Sequence, residues 1–174
     1  INFKDYKDYL KSLNMVATYK IFEKKYIDRI TQLIMRSNQF NLTTRRYNEK
    51  KIFEIMSNKK YYPIKIELKD KFSDNGIISL VILKFEKDIC EIDSWIMSCR
   101  VLERGLEKAT MKLLLDICNK KKIKKLMGKY IRTEKNDLVK DHYEKLKFRK
   151  IYKDKNNTDY QLILKDINDS TYNN

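Results

Sequence analysis

Four side chains in the second half of this sequence have the types and spacing to do chemistry. Asp93, Trp95, Met97 and Cys99 alternate within 89–100, so an extended chain puts all four on one face. Cys99 precedes Arg100 and sits just ahead of a predicted helix. A cation and a helix N-terminus both favour a thiolate, which could carry an acyl group as a thioester. The competing reading is a small buried core cysteine. His142 is the only histidine and a candidate base for Cys99. It lies one residue before Tyr143 on a predicted helix, so the two project about 100° apart, and simple packing is its other reading. Asp93 is the only strand carboxylate in place to serve as a base. Asn38, Gln39 and Asn41 flank Phe40 without helical period. Such amides hydrogen-bond a polar substrate or the loop's own backbone. Arg45 and Arg46 follow, either to meet phosphate or an acidic helix or to stand in solvent.

The elements that position these groups follow from period and punctuation. Residues 15–21 read as a strand and 26–39 as a helix, with Ile27, Ile30, Leu33 and Ile34 at helical spacing. Asn48 is the predicted N-cap of a second helix. Strands follow over 62–68, 77–85 and 89–100, with a turn at 73–76. The middle strand is almost continuously apolar, hence buried on both faces. A helix over 105–121 turns Leu106, Ala109, Leu113, Leu114 and Ile117 to one side. A strand over 123–131, a helix over 136–147 and a strand pair over 148–153 and 160–165 complete the chain. The order is β-α-α-β-β-β-α-β-α-β-β. That is an α/β (α+β) chain with a central mixed, mostly antiparallel sheet flanked by helices. Residues 5–13 read as the end of a helix and 167–174 as a frayed tail. With 42% hydrophobic residues and only 3 Gly and 1 Pro, the 174 residues suit one domain of regular elements.

The formal charge is +15, which invites a nucleic-acid reading. Lysine, however, supplies 31 of the 39 basic residues, and arginine is the residue of bidentate recognition. Lys, Asn, Ile and Tyr are abundant together, as AT-rich coding supplies them. A basic surface that steers an acidic partner is the better reading. The Lys run at 120–125 sits at a helix end, where it complements the dipole. Three cysteines without metal or disulfide spacing predict a reducing, cytoplasmic setting and no metal site. No stretch is long and apolar enough for a membrane helix.

The segment Asn136 to Phe148 resembles the Asn-x-x-Ala-x-x-x-Tyr-x-x-x-Gly-Phe pattern of GNAT-like acyltransferases. Asn136, Tyr143 and Phe148 fall in register; Val139 stands for Ala and Lys147 for Gly. The resemblance implies a GNAT-like fold over 14–166, with Tyr143 protonating a leaving thiolate and Asn136 contacting pantetheine or starting a helix. It also implies that the turn of Arg100, Val101, Leu102, Arg104, Gly105 and Leu106 receives the donor's phosphates. In that turn only Gly105 fits the family's Q/R-x-x-G-x-G/A loop: Leu102 replaces Gln/Arg and Glu107 the second Gly/Ala. A carrier protein's phosphopantetheine, with one phosphodiester, asks less of such a turn than CoA does. R-S-N-Q-F-N (36–41), D-N-G-I-I-S (74–79) and W-I-M-S-C-R-V-L-E-R-G-L-E (95–107) resemble the C-terminal half of FkbH-like proteins. There a haloacid-dehalogenase-like phosphatase domain precedes an acyltransferase-like domain, and a glyceryl unit is loaded onto an acyl carrier protein. The resemblance makes 1–13 an inter-domain junction, Cys99 the acyl acceptor, and Asn38, Gln39, Asn41 and Trp95 the substrate's surroundings. Two further readings stand beside it: an acetyl-CoA-dependent N-acetyltransferase, and a non-catalytic module that docks a carrier protein or nucleic acid.

Overall fold

A computed structural model describes residues 13–102, 104–167 and 171–172. Seven strands form one sheet in the order β1-β2-β3-β4-β5-β7-β6. They are β1 (Val16–Ile21), β2 (Tyr61–Lys69), β3 (Asp74–Glu86), β4 (Ile89–Met97), β5 (Lys125–Ile131), β6 (Arg149–Lys153) and β7 (Asn157–Ile163). The helices are α1 (Ile27–Arg36), α2 (Glu49–Ser57), α3 (Leu106–Lys120) and the short α4 (His142–Lys145). Side chains alternate across β3 and β4. Leu80, Ile82 and Ile96 meet Ile30, Leu33 and Ile34 of α1 and Ile52 and Ile55 of α2 on one face. Val81, Leu83, Trp95 and Met97 meet Met111, Leu114 and Ile117 of α3 on the other. The apolar run of β3 is therefore buried on both sides, as its sequence predicts. Asn48 caps α2 as expected, its side chain accepting from the Lys51 N–H at 2.9 Å.

All neighbouring strands are antiparallel except β4 and β5. That parallel pair is short: it runs from Ile89 opposite Lys125 to Ile92 opposite Gly128 and then ends. At the next residue β4 bulges. Leu83 faces Ile92 and Ile82 faces Ser94, so Asp93 is the extra residue. A bulge bends its strand, and here it coincides with the parting of β4 from β5. Buried edges need hydrogen-bond partners, and the connection between α1 and α2 supplies them. The Met97 N–H donates to Phe40 O (3.1 Å), the Leu42 N–H to Trp95 O (3.3 Å) and the Ile131 N–H to Leu42 O (2.8 Å). Asn41 forms an antiparallel bridge with Ile96. Phe40–Leu42 thus behaves as a three-residue strand wedged between the parted ends.

Several boundaries differ from the sequence reading. β4 stops at Met97: the Ser98 N–H makes a last bond across to Ile78 O, and the Val101 N–H then turns back to Ser98 O. Cys99 consequently lies in a 3-10 turn, off the strand face that carries Trp95 and Met97. The predicted helix over 136–147 breaks into a 3-10 turn at Asp137–Val139 and the four-residue α4. It closes on Lys147, whose φ of 66° is the left-handed conformation that glycine adopts at least cost. α1 ends at Arg36 rather than 39, and the buried side of α3 takes Thr110, Met111 and Cys118 while Ala109 is exposed. The turn expected at 73–76 falls earlier, around Asp70, whose carboxylate accepts the Phe72 and Ser73 N–H groups. The helix end expected over 5–13 lies outside the described residues apart from Leu13. Tyr172, in the expected tail, is buried and donates to Leu146 O at 2.7 Å.

Gly128, where β5 leaves β4, lies directly against the Tyr143 ring, and a Cβ there would overlap the ring carbons. Tyr143 is fully buried and has no room to retreat. Gly128→Ala is expected to cost about 1–3 kcal/mol by overpacking, read as a lowered Tm.

Candidate functional site

The groups singled out in the sequence separate into a packed interior and an open cleft. Asn136 and the aromatic residues around it make up the interior. Asn136 is fully buried. Its Nδ2 donates to Asn41 O (3.0 Å) and Ile131 O (2.8 Å), and its Oδ1 accepts from the Thr133 N–H (2.8 Å) and the Tyr130 hydroxyl (3.2 Å). One amide therefore ties the wedge, the end of β5 and the following turn together. Next to it a file of rings runs inward. His142 meets Trp95 edge-on at 4.5 Å and Phe40 at 5.1 Å, and Tyr143 stands at 5.5 Å from His142 and 4.9 Å from Phe148. Trp95 Nε1, His142 Nε2 and the Tyr143 hydroxyl are all buried and close no hydrogen bond among the described residues.

This setting corrects four expectations. Burial, with Lys145 a lesser cause, pushes the His142 imidazole down to about 3, so it is neutral at pH 7 and enclosed by rings. Cys99 is exposed, and His142 is absent from the cleft that Cys99 lines; the pair does not form a thiol and its base. Burial likewise raises the Tyr143 phenol, opposed in part by the Lys129 backbone, and leaves its hydroxyl no path to solvent in this conformation. Trp95 is core rather than a substrate surface. Asp93 is not a free base either. One carboxylate oxygen is ion-paired to Arg45 and the other accepts from the Tyr47 hydroxyl at 2.8 Å. Its carbonyl accepts from Thr43 and Arg45. The bulge at Asp93 is thus fastened to the segment that follows the wedge.

The loop amides divide. Asn41 is buried and serves the loop: its Nδ2 donates to Ser37 O and its Oδ1 accepts the Thr44 N–H. Thr44 there has a φ of 53°. Arg46 donates to Ile34 O and Ser37 O at the C-terminal end of α1 and to Asn38 Oδ1. Asn38 and Gln39 line an open cleft of about 770 Å³, together with Phe40, Met97, Ser98, Cys99 and Arg100. Its other wall is one side of α1, Arg29, Gln32, Leu33 and Arg36, with Glu134 and Lys135 closing the end. The sequence reading missed the α1 wall. Its signal was present: two arginines seven residues apart, with Gln32 between them on the same helical face.

The turn expected to receive phosphates is only partly suited to them. Gly105 has the left-handed φ of 77° at the N-cap of α3, and Leu106 begins the helix. Glu107 occupies the first turn, where it already complements the dipole. Arg104 faces Asp70 at 3.6 Å, Val101 is buried and the Leu102 N–H bends back toward Cys99 O. The gap between the parted strands is filled by Phe40–Leu42, and the cleft beside Cys99 is open. Among the described residues no cluster of His, Cys, Asp and Glu could hold a metal, and no helix is long and apolar enough to cross a membrane.

A mixed sheet with one short parallel pair that parts, two helices on one face and α3 entering after β4 is the architecture of GNAT acetyltransferases. Solved structures share it at low identity. PaiA N-acetyltransferase from Thermoplasma acidophilum, in complex with coenzyme A, is similar with a TM-score of 0.69 and 13% identity over 85% of this chain and 99% of its own. Ribosomal-protein-S18-alanine N-acetyltransferase from Escherichia coli is similar with a TM-score of 0.65 and 14% identity, over 86% and 94%. The spermidine N-acetyltransferase SpeG from Vibrio cholerae matches with a TM-score of 0.65 and 14% identity, over 91% and 96%. No protein-family model and no curated protein matches the sequence.

Two outcomes follow for the interior. Asn136→Ala removes an amide that serves four buried groups and is expected to cost about 2–4 kcal/mol in denaturant unfolding. Backbone amide exchange at Leu42, Met97 and Ile131 should speed up in the same variant. For His142, the folded pKa lies below the unfolded value near 6.5. The unfolded chain therefore binds the extra proton, and this contribution to stability is present above pH 6.5 and declines as pH falls toward 3. His142→Phe should flatten the stability–pH curve by about 2 kcal/mol between pH 7 and 5, without loss of stability at pH 7.

Proposed function

We propose that this chain is an acyltransferase that draws its acyl group from a pantetheine thioester, with acetyl-CoA as the donor best supported by the named proteins that share its fold. The observation that carries the reading is the fold itself with its parting β4 and β5, near whose ends lies a cleft of about 770 Å³ lined by Asn38, Gln39 and Cys99. The acceptor in this reading enters on the α1 side. Two of the solved structures that share this fold are named as N-acetyltransferases of ribosomal-protein-S18 alanine and of spermidine.

A second reading has its own observation. Cys99 is the only exposed cysteine among the described residues, it faces the cleft, and the α3 turn carries Glu107 with Arg104 turned to Asp70. These features favour a donor with fewer phosphates than CoA. An acyl carrier protein's phosphopantetheine would pass a glyceryl-type group to Cys99, as the FkbH-like resemblance implies, with a phosphatase-like domain elsewhere in the full-length protein.

The two are separated by binding and mass. Under the CoA reading, acetyl-CoA raises the Tm with a dissociation constant in the micromolar range, and Cys99→Ser keeps that binding. Under the carrier reading, incubation with an acyl-loaded carrier protein adds the acyl mass to the wild type and not to Cys99→Ser. A chain that neither binds acetyl-CoA by calorimetry nor gains mass from an acyl carrier is not an acyltransferase of either kind.

A further inference from the structure

The cleft that Cys99 lines gathers arginines from both of its walls. Arg29 and Arg36 project from α1, and Arg100 from the 3-10 turn after β4. None of the three has a carboxylate within ion-pair distance among the described residues. Lys135 adds a fourth cation, and Glu134 is the one carboxylate in the lining. Arg29 is held in place: its guanidinium donates to Ile77 O at 3.2 Å and to Gln32 Oε1 at 2.5 Å. Burial lowers its pKa, and the charges of Arg100 and Arg36 lower it further, so the three guanidinium groups oppose one another. Like charges gathered in a concave, partly desolvated site cost free energy that a bound anion recovers. In a chain where lysine supplies most of the positive charge, three arginines converge here. Arginine's planar fork matches the oxygens of phosphate and carboxylate, which lysine's point charge does not.

α1 and α3 pack on opposite faces of the sheet, and of the turn that the acyltransferase reading gives to the donor's phosphates only Arg100 lines this cleft, whereas Arg104, Gly105 and Leu106 at the start of α3 do not. An anion on the α1 side is therefore a different group. We infer that the Arg29–Arg36–Arg100 cleft binds the phosphate or carboxylate of a small acidic acceptor substrate. The inference rests on the acyltransferase reading for the word acceptor; the anion site stands on geometry alone.

The test uses the intact chain and two probes, inorganic phosphate and succinate, each against sodium chloride at matched ionic strength. At ten times the dissociation constant a specific anion should raise the Tm by roughly 3–6 °C. Arg36→Gln/Arg100→Gln, both positions exposed, should remove at least two-thirds of that rise while Arg149→Gln on β6 keeps it. Arg29→Gln should do the same, and the exposed pair guards against a fold defect at Arg29. The inference is overturned if chloride gives the same shift, if the double variant responds as the wild type does, or if only an oligonucleotide protects. Acetyl-CoA titrated in parallel separates the two proposals. Anion binding without acetyl-CoA binding refutes the donor reading and keeps this site, whereas acetyl-CoA binding with no anion effect refutes this site alone.

Discussion

Two parallel strands that begin paired and then part leave two rows of backbone groups in the middle of a sheet. That junction between β4 and β5 is the constraint on which the rest of this molecule is arranged. The pairing stops at Ile92 and Gly128, the bulge at Asp93 bends β4 away, and Gly128 gives the Tyr143 ring its place. Unsatisfied buried amides cost on the order of 1–3 kcal/mol each, so an open gap here is costly unless something fills it. The chain fills it with Phe40–Leu42. Asn136 on one side and the Arg45–Asp93–Tyr47 cluster on the other then fasten the filling segment to both strands. A loop that would otherwise be surface punctuation becomes the keystone of the sheet.

The wedge also explains why the side chains with chemical potential are so unevenly disposed. Phe40 brings its ring against Trp95 and His142 and closes the file that ends at Tyr143. Polar atoms on Trp95, His142 and Tyr143 are thereby sealed in an apolar setting without partners. Buried polar groups of this kind are few in folded proteins and ask for a reason. Packing alone does not supply one, since phenylalanine could hold each position.

The architecture was legible in the sequence because it rests on period. The apolar run of β3, the amphipathic faces of α1 and α2 and the Asn48 cap are local signals, and the structure repeats them. What was not legible depends on contacts between distant segments. Cys99 alternates with Trp95 and Met97 in sequence, yet the chain turns at Ser98, whose carbonyl takes the Val101 N–H, and the strand ends first. His142 has a neutral-range pKa in isolation, but the rings that depress it come from residues 40, 95 and 143. Asn136 was marked by motif as a pantetheine contact or a helix start; the structure gives it the backbone of Asn41 instead. Arg29 and Arg36 passed unnoticed because a charged helix face reads as solvated until a second element, here Arg100, closes over it.

The same junction limits what can bind inside it. Removing Phe40–Leu42 breaks three backbone hydrogen bonds and the one that the Asn136 amide makes to Asn41 O. An apolar ligand could offer contact area but would leave those groups bare, at a cost that scales with each one. A ligand that carries amides of its own could replace Phe40 O, the Leu42 N–H and Leu42 O with groups of the same kind, and the exchange would then be close to neutral. The trade is therefore strand for strand-like chain, and it discriminates by hydrogen-bond pattern before any charge is considered. A pantetheine arm has such amides, and so does an extended peptide. Charge then acts at the mouth, where the arginines of α1 and Arg100 stand a short way from the wedge. Under the two proposals the interior would select a backbone-like ligand and the mouth an acidic one, and Phe40, shared by the cleft lining and the ring file, joins the two.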